Sequence, residues 1–260
     1  MTSQPLTLLA ETLPLTVTDQ GTGRPYLLLH GGAGPHSMAG LAGALAPTGR
    51  TLVPTHPKFE GQPRPEWFRS IADLATAYLA LLERLDLHEV VVVGNSVGGW
   101  LAAKIGLRAS PRVAALVLLN AVGLDPTPAS GPIADLFALP PAEQAAHIFH
   151  DPTPFARALV PASPEAAAVL AANQQALRVY GGEHVTYDPR LRTRLPHLRV
   201  PTLVLWGESD RIVTPAYGQQ FADLIPHAQF ALLPQAGHLP QLERLADVVA
   251  HLHDFCQTLA

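Results

Sequence analysis

Four consecutive valines, Val90 to Val93, run directly into Gly94-Asn95-Ser96-Val97-Gly98-Gly99 and then into Trp100-Leu101-Ala102-Ala103-Lys104. An unbroken β-branched run is the pattern of a strand covered on both faces, as in a parallel sheet flanked by helices. The residues after the valines read as a tight turn opening a helix, and the turn has the spacing G-x-S-x-G. A serine at the apex of such a turn sits on a strained backbone where strand and helix approach closely. Gly94 and Gly98, without Cβ atoms, permit that approach. Ser96 is then presented at a helix N-terminus, where a developing negative charge is stabilised. A glycine-rich crossover turn of an ordinary doubly wound protein has the same local pattern, so the decision falls to the rest of the chain.

That chain has 260 residues, 48% of them hydrophobic and 15% charged, which excludes a disordered polymer and suits one large α/β domain or two small ones. Strands are predicted at 6–9, 15–18, 26–30, 51–53, 90–93, 114–119, 202–206 and 229–233, interleaved with helices at 38–45, 66–85, 97–107, 215–224 and 240–259. In the second helix Ile71, Leu74, Tyr78, Leu81 and Leu85 recur at three- and four-residue spacing and form one apolar face. This alternation marks a sheet with crossover helices.

The alternation stops after the sixth strand. From Asp125 to Arg194 no strand pattern appears, and prolines recur at 126, 128, 132, 140, 141, 152, 154, 161 and 164. Short helices are expected at 133–139, 141–149 and 154–159, with a longer one from Pro164 to Tyr180 capped by Ser163 and ended by Gly181. Residues 125–194 therefore read as a helical cap over the C-terminal edge of a core made of 1–124 and 195–260.

The predicted third strand ends in His30-Gly31-Gly32-Ala33-Gly34, a flexible loop able to aim a backbone N–H at the substrate of Ser96. Gly32 is the best placed donor and Val97 the second. His30 is read as holding the loop rather than as a catalyst. If the catalytic order is serine, acid, histidine, a base and an acid must come later in the chain. Gln235-Ala236-Gly237-His238-Leu239-Pro240 follows the last strand, and Trp206-Gly207-Glu208-Ser209-Asp210 follows the one before it. His238 is the candidate base and Asp210 the candidate acid, with Glu208 a local competitor and Asp125 an alternative after the sixth strand.

These segments together closely resemble the α/β-hydrolase superfamily over nearly the whole chain. The resemblance implies an α/β-hydrolase fold with a mostly parallel eight-stranded sheet, flanking helices and an inserted helical cap. It implies Ser96 as nucleophile, His238 as base, Asp210 as acid, the Gly32 and Val97 amides as oxyanion hole, and no cofactor. Thr55-His56-Pro57-Lys58-Phe59-Glu60-Gly61 departs from the D-x-P-G-x-G turn of many relatives, and Lys58 and Glu60 read as solvated loop charges or as the rim of a pocket. The elbow also resembles that of hydrolases cleaving carbon–carbon bonds of ring-fission products. Where those enzymes carry a cap arginine and an aromatic after the histidine, this chain has Asn173 and Leu239, with Arg178 further along the same helix.

The expected activity is hydrolysis of small or medium carboxylic esters, with carbon–carbon hydrolysis or non-catalytic ligand binding as alternatives. His36 and Asn173 are candidate substrate contacts. His147, His150 and Asp151 read as polar surface rather than a metal site, and Cys256 as a buried small hydrophobe. A single cysteine, a net charge of −4 without a basic run, and no apolar run near the roughly 20 residues of a membrane span point to a cytoplasmic protein without nucleic-acid or membrane partners. No signal peptide is read at the N-terminus.

Overall fold

The computed structural model describes residues 2–155 and 161–259. Eight strands form one sheet: β1 (Thr2–Leu8), β2 (Leu13–Gly21), β3 (Arg24–Leu29), β4 (Gly49–Thr55), β5 (Val90–Asn95), β6 (Val113–Leu119), β7 (Thr202–Gly207) and β8 (Gln229–Leu233). Their spatial order is β1-β2-β4-β3-β5-β6-β7-β8. β2 pairs antiparallel with both β1 and β4, and every pairing from β4 to β8 is parallel. The fold is that of the α/β hydrolases.

Successive side chains of a strand point to opposite faces, and the core divides accordingly. Leu27, Leu29, Val90, Val92, Leu116, Leu118 and Val204 pack under α2 (Ile71–Arg84), α3 (Val97–Gly106) and α7 (Pro215–Leu224). Leu28, Val91, Val93, Val117, Leu119 and Leu205 face the other way, against α1 (Ala39–Leu45) and α9 (Leu245–Gln257). Cys256 is buried in that second layer, where its Sγ lies 3.9 Å from the Tyr26 hydroxyl.

Two of the helices predicted in the core differ by more than a residue in their limits. The one expected from residue 66 begins at Ile71, because Ser70 and Asp73 form a reciprocal capping box that satisfies the first free amides. The last helix is divided into α8 (Pro240–Glu243) and α9 by Arg244, whose φ of −132° leaves the helical region.

Between β6 and β7 the described chain is helical: α4 (Pro141–Ile148), α5 (Pro164–Gly181) and α6 (Leu191–Arg194). The helix expected at 133–139 contracts to one 3₁₀ turn at Leu136–Ala138. Most of the one expected at 154–159 lies outside the described residues. Ser163 caps α5 by accepting the Ala166 amide at 3.2 Å, and the helix ends one residue later than expected, where Gly182 takes a φ of 67°.

Candidate active site

Ser96, Asp210 and His238 each follow the C-terminal end of a parallel strand, β5, β7 and β8 respectively, so the sheet brings residues more than a hundred positions apart to one edge. Ser96 stands between β5 and α3 with φ 57° and ψ −119°. Its amide donates to the Leu119 carbonyl at 3.0 Å, and its carbonyl accepts from Gly99, Trp100 and Val122. These bonds hold the strained serine in place. A Cβ on Gly94 would collide with the Gly98 carbonyl, and one on Gly98 with the Leu29 carbonyl. The two glycines are thus required by close approach, as the sequence pattern anticipates.

His238 Nδ1 lies 2.8 Å from Asp210 Oδ2, and both side chains are buried. Asp210 Oδ1 accepts the Ile212 and Val213 amides at 2.8 and 3.1 Å, which leaves Oδ2 to the imidazole and to Asn120. An ionised carboxylate only accepts, so Nδ1 carries the proton of this pair and Nε2 is left as the basic nitrogen. Glu208 is exposed instead, and Asp125 is held by Arg192 at 3.0 Å.

Asn120 was not anticipated. It follows β6 with φ 45°, donates Nδ2 to Asp210 Oδ2 at 2.7 Å and accepts the Gly207 amide at 3.2 Å. Asn95, beside the serine, donates to the His238 carbonyl at 2.9 Å. Glu243 accepts the Gly237 amide at 2.6 Å through one oxygen and the His150 amide at 2.8 Å through the other, so it ties the histidine loop to the segment after α4. The His150 ring meets Ser209 Oγ at 2.8 Å.

The His30–Gly34 loop lies directly over the elbow: a Cβ on Gly31 would stand 2.8 Å from Ser96 Cβ and 3.4 Å from its Oγ. Behind it, His30 is fully buried and stacks on His56 with ring centroids 3.8 Å apart. His30 Nε2 accepts the His56 amide, so Nδ1 donates to the Gly31 carbonyl at 2.8 Å. His56 Nε2 donates to the His30 carbonyl at 2.9 Å, and its Nδ1 meets the Tyr78 hydroxyl. Every bond in this chain uses a neutral ring. Burial accordingly lowers the His30 pKa to about 4 and holds His56 well below the ordinary imidazole value.

Helix α5 packs against this loop. Leu177 Cδ1 of α5 lies 2.9 Å from where a Cβ on Gly32 would be. One turn earlier, Asn173 is buried, with both ends of its amide engaged by Glu60: Oδ1 accepts the Glu60 amide at 3.0 Å and Nδ2 donates to its carboxylate at 3.2 Å. Tyr180 donates to the Pro57 carbonyl at 2.7 Å. Glu60 is therefore a partner of α5, though it is exposed like Lys58. His36 is exposed on the 3₁₀ turn after the loop.

A sheet of this order, with a strained serine after β5 and an acid–histidine pair after β7 and β8, defines the class of α/β hydrolases. The model of the Alpha/beta hydrolase family matches residues 26–251, and the chain belongs to that family. It is 29% identical over 252 residues to a 2-hydroxymuconate semialdehyde hydrolase of Pseudomonas putida, covering 91% of this chain and 88% of the relative. It is 24% identical over 249 residues to Lipase 3 of a Moraxella species, covering 88% and 76%. Among solved structures it is similar to a thermophilic esterase from Thermogutta terrifontis, with 25% identity, a TM-score of 0.72, and coverage of 100% and 99%. No helix among the described residues is long and apolar enough to cross a membrane.

Proposed function

We propose that this hydrolase cleaves small or medium carboxylic esters with a Ser96–His238–Asp210 triad. The observation that carries the reading is the buried 2.8 Å contact between His238 Nδ1 and Asp210, at the same sheet edge as the strained Ser96. Asp210 fixes the tautomer that leaves Nε2 basic. Nε2 takes the Ser96 proton as Oγ bonds to the ester carbonyl carbon, and the carbonyl oxygen becomes an oxyanion. The Gly32 and Val97 amides donate to that oxygen. Collapse expels the alcohol with the proton carried by His238, and a water attacks the acyl-enzyme by the same route in reverse.

Residues 125–194 act as the cap in this reading, with 1–124 and 195–260 as the core. Leu177 over Gly32 supplies an apolar wall for the acyl chain. Cleavage of a carbon–carbon bond is the second reading, favoured by the 29% identity to a 2-hydroxymuconate semialdehyde hydrolase. One experiment addresses both. Chromogenic esters of increasing acyl length and one ring-fission diketone are offered to the wild type and to Ser96→Ala, alongside a fluorophosphonate probe. The wild type is expected to be labelled and to favour esters, and Ser96→Ala to lose label and about 10⁴-fold or more in rate. Equal labelling of both proteins would remove Ser96 as nucleophile, and preference for the diketone would replace the ester reading with the second.

A further inference from the structure

A groove of about 860 Å³ runs between the start of α2, the middle of α3 and the segment that leads from α5 back to β7. Its volume falls within the roughly 300–1,000 Å³ usual for small-molecule sites. None of Ser96, Asp210, His238, Gly32 and Val97 lines it.

The walls are cationic. Arg69, Lys104 and Arg108 come from the core side, and Arg190 and Arg194 from the returning segment. Against these five stand two carboxylates, Glu183 and Asp188, a surplus of three positive charges in a chain whose net charge is −4. Asp188 is already shared between Lys104 at 2.5 Å and Arg190 at 3.0 Å. The guanidinium groups of Arg69 and Arg194 form no ion pair with a described residue. Burial lowers the Lys104 pKa; Asp188 opposes that, and Arg194 and Arg190 lower it further, as expected where positive charges crowd together. A solvated protein face balances its charges, whereas this one gathers a positive surplus in a concavity, which focuses the field on an anion.

The groove also has partly exposed rings. The His184 ring stacks on Tyr187 with centroids 4.5 Å apart, and behind them the buried Trp100 and Tyr180 line the same space. The Trp100 indole Nε1 is buried without a hydrogen-bond partner. Planar guanidinium forks pair with phosphate oxygens two bonds at a time, and aromatic faces accept a flat ring.

We propose that this groove is a second ligand site, which binds a soluble small molecule carrying several phosphate groups beside a flat ring, with Arg69 and Arg194 gripping the phosphates from the core and from the returning segment. Its walls meet across the junction of insertion and core, so the bound molecule would tie the two together.

Titration calorimetry at about 150 mM salt tests this, with ATP, inorganic tripolyphosphate and citrate as probes. ATP is expected to bind with a Kd on the order of 10–100 μM, tripolyphosphate several-fold more weakly and citrate more weakly still. The double variant Arg69→Gln/Arg194→Gln should lose about tenfold or more in ATP affinity, and each single variant part of that. Both side chains are exposed, and a melting curve checks that the variants remain folded. Arg199→Gln, which removes an exposed arginine outside the groove, should change affinity less than about twofold. Ser96→Ala should bind ATP as the wild type does. No saturable ATP binding, or equal binding by the double variant, would overturn the site. Tripolyphosphate or citrate binding as tightly as ATP would overturn the ring and phosphate assignments respectively.

Discussion

The side-chain amide of Asn120 donates to Oδ2 of Asp210 at 2.7 Å, the same carboxylate oxygen that faces the His238 ring. Asn120 is buried, held in the left-handed region at φ 45°, and anchored by the Gly207 amide on its own Oδ1. The acid is therefore fixed from three sides: Asn120 from β6, the Ile212 and Val213 amides from its own turn, and the imidazole.

Asn120→Ala should reduce kcat by about 10–100-fold, the equivalent of one hydrogen bond to a charged group, with KM little changed. The residue acts on Asp210 and touches no substrate, so the loss should be equal for esters of any acyl length. Steady-state kinetics on an acyl series would read this, and a loss confined to KM or to long acyl chains would assign Asn120 a different role.

Asp210→Asn should cost about 10⁴-fold in turnover, because an amide disfavours both the required histidine tautomer and the imidazolium. Glu208→Gln should stay close to the wild type, since the Glu208 side chain is exposed. Comparable losses in the two variants would show that the acid had been misassigned.

The sequence made the elbow and the strand ends legible because their determinants are local. A valine run, two glycines around a serine, and short loops after apolar strands each fit within ten residues. Asn120 was hidden because its importance lies in a backbone conformation and a partner ninety positions away. Glu60 is exposed, in keeping with a solvated loop charge or pocket rim, but its bond to Asn173 is not legible because the partner is 113 residues distant. The division of the last helix at Arg244 has no proline or glycine to announce it. Periodicity alone therefore joined two helices.

The pair behind the His30–Gly34 loop predicts an acid sensitivity. Burial lowers the His30 pKa from 6.5 to about 4 and holds His56 well below 6.5, so both are neutral in the fold while an unfolded chain protonates them near 6.5. Their neutral forms contribute fully above pH 6.5, and that contribution is lost as pH falls from 6.5 towards 4. For His30 alone the loss is on the order of 3 kcal/mol by pH 4. Urea midpoints measured from pH 7.5 to 4.5 should fall across this window, and the two imidazole resonances should keep neutral shifts at pH 5.5. A midpoint that stays level to pH 4.5 would contradict the buried neutral pair.

The Asn173–Glu60 clasp yields the last prediction. Asn173 lies on the face of α5 that carries Leu177, and its amide is engaged at each end by the Glu60 backbone and carboxylate. Glu60 in turn packs on the His30–Gly34 loop, its Oε1 being 3.1 Å from where a Cβ on Gly34 would stand. A buried amide engaged at both ends holds two segments together. Asn173→Ala leaves the Glu60 amide without its acceptor and should cost about 1–3 kcal/mol, which lowers the Tm by several degrees in a chain of this size. The order of preference among acyl chains should persist, because the side chain's polar atoms face Glu60 rather than ligand. Turnover should fall a few-fold and uniformly, because the loop that bears Gly32 loses its support. Calorimetric melting and an ester panel run on the same variant separate the outcomes. A reordered acyl preference at unchanged Tm would make Asn173 a substrate contact instead.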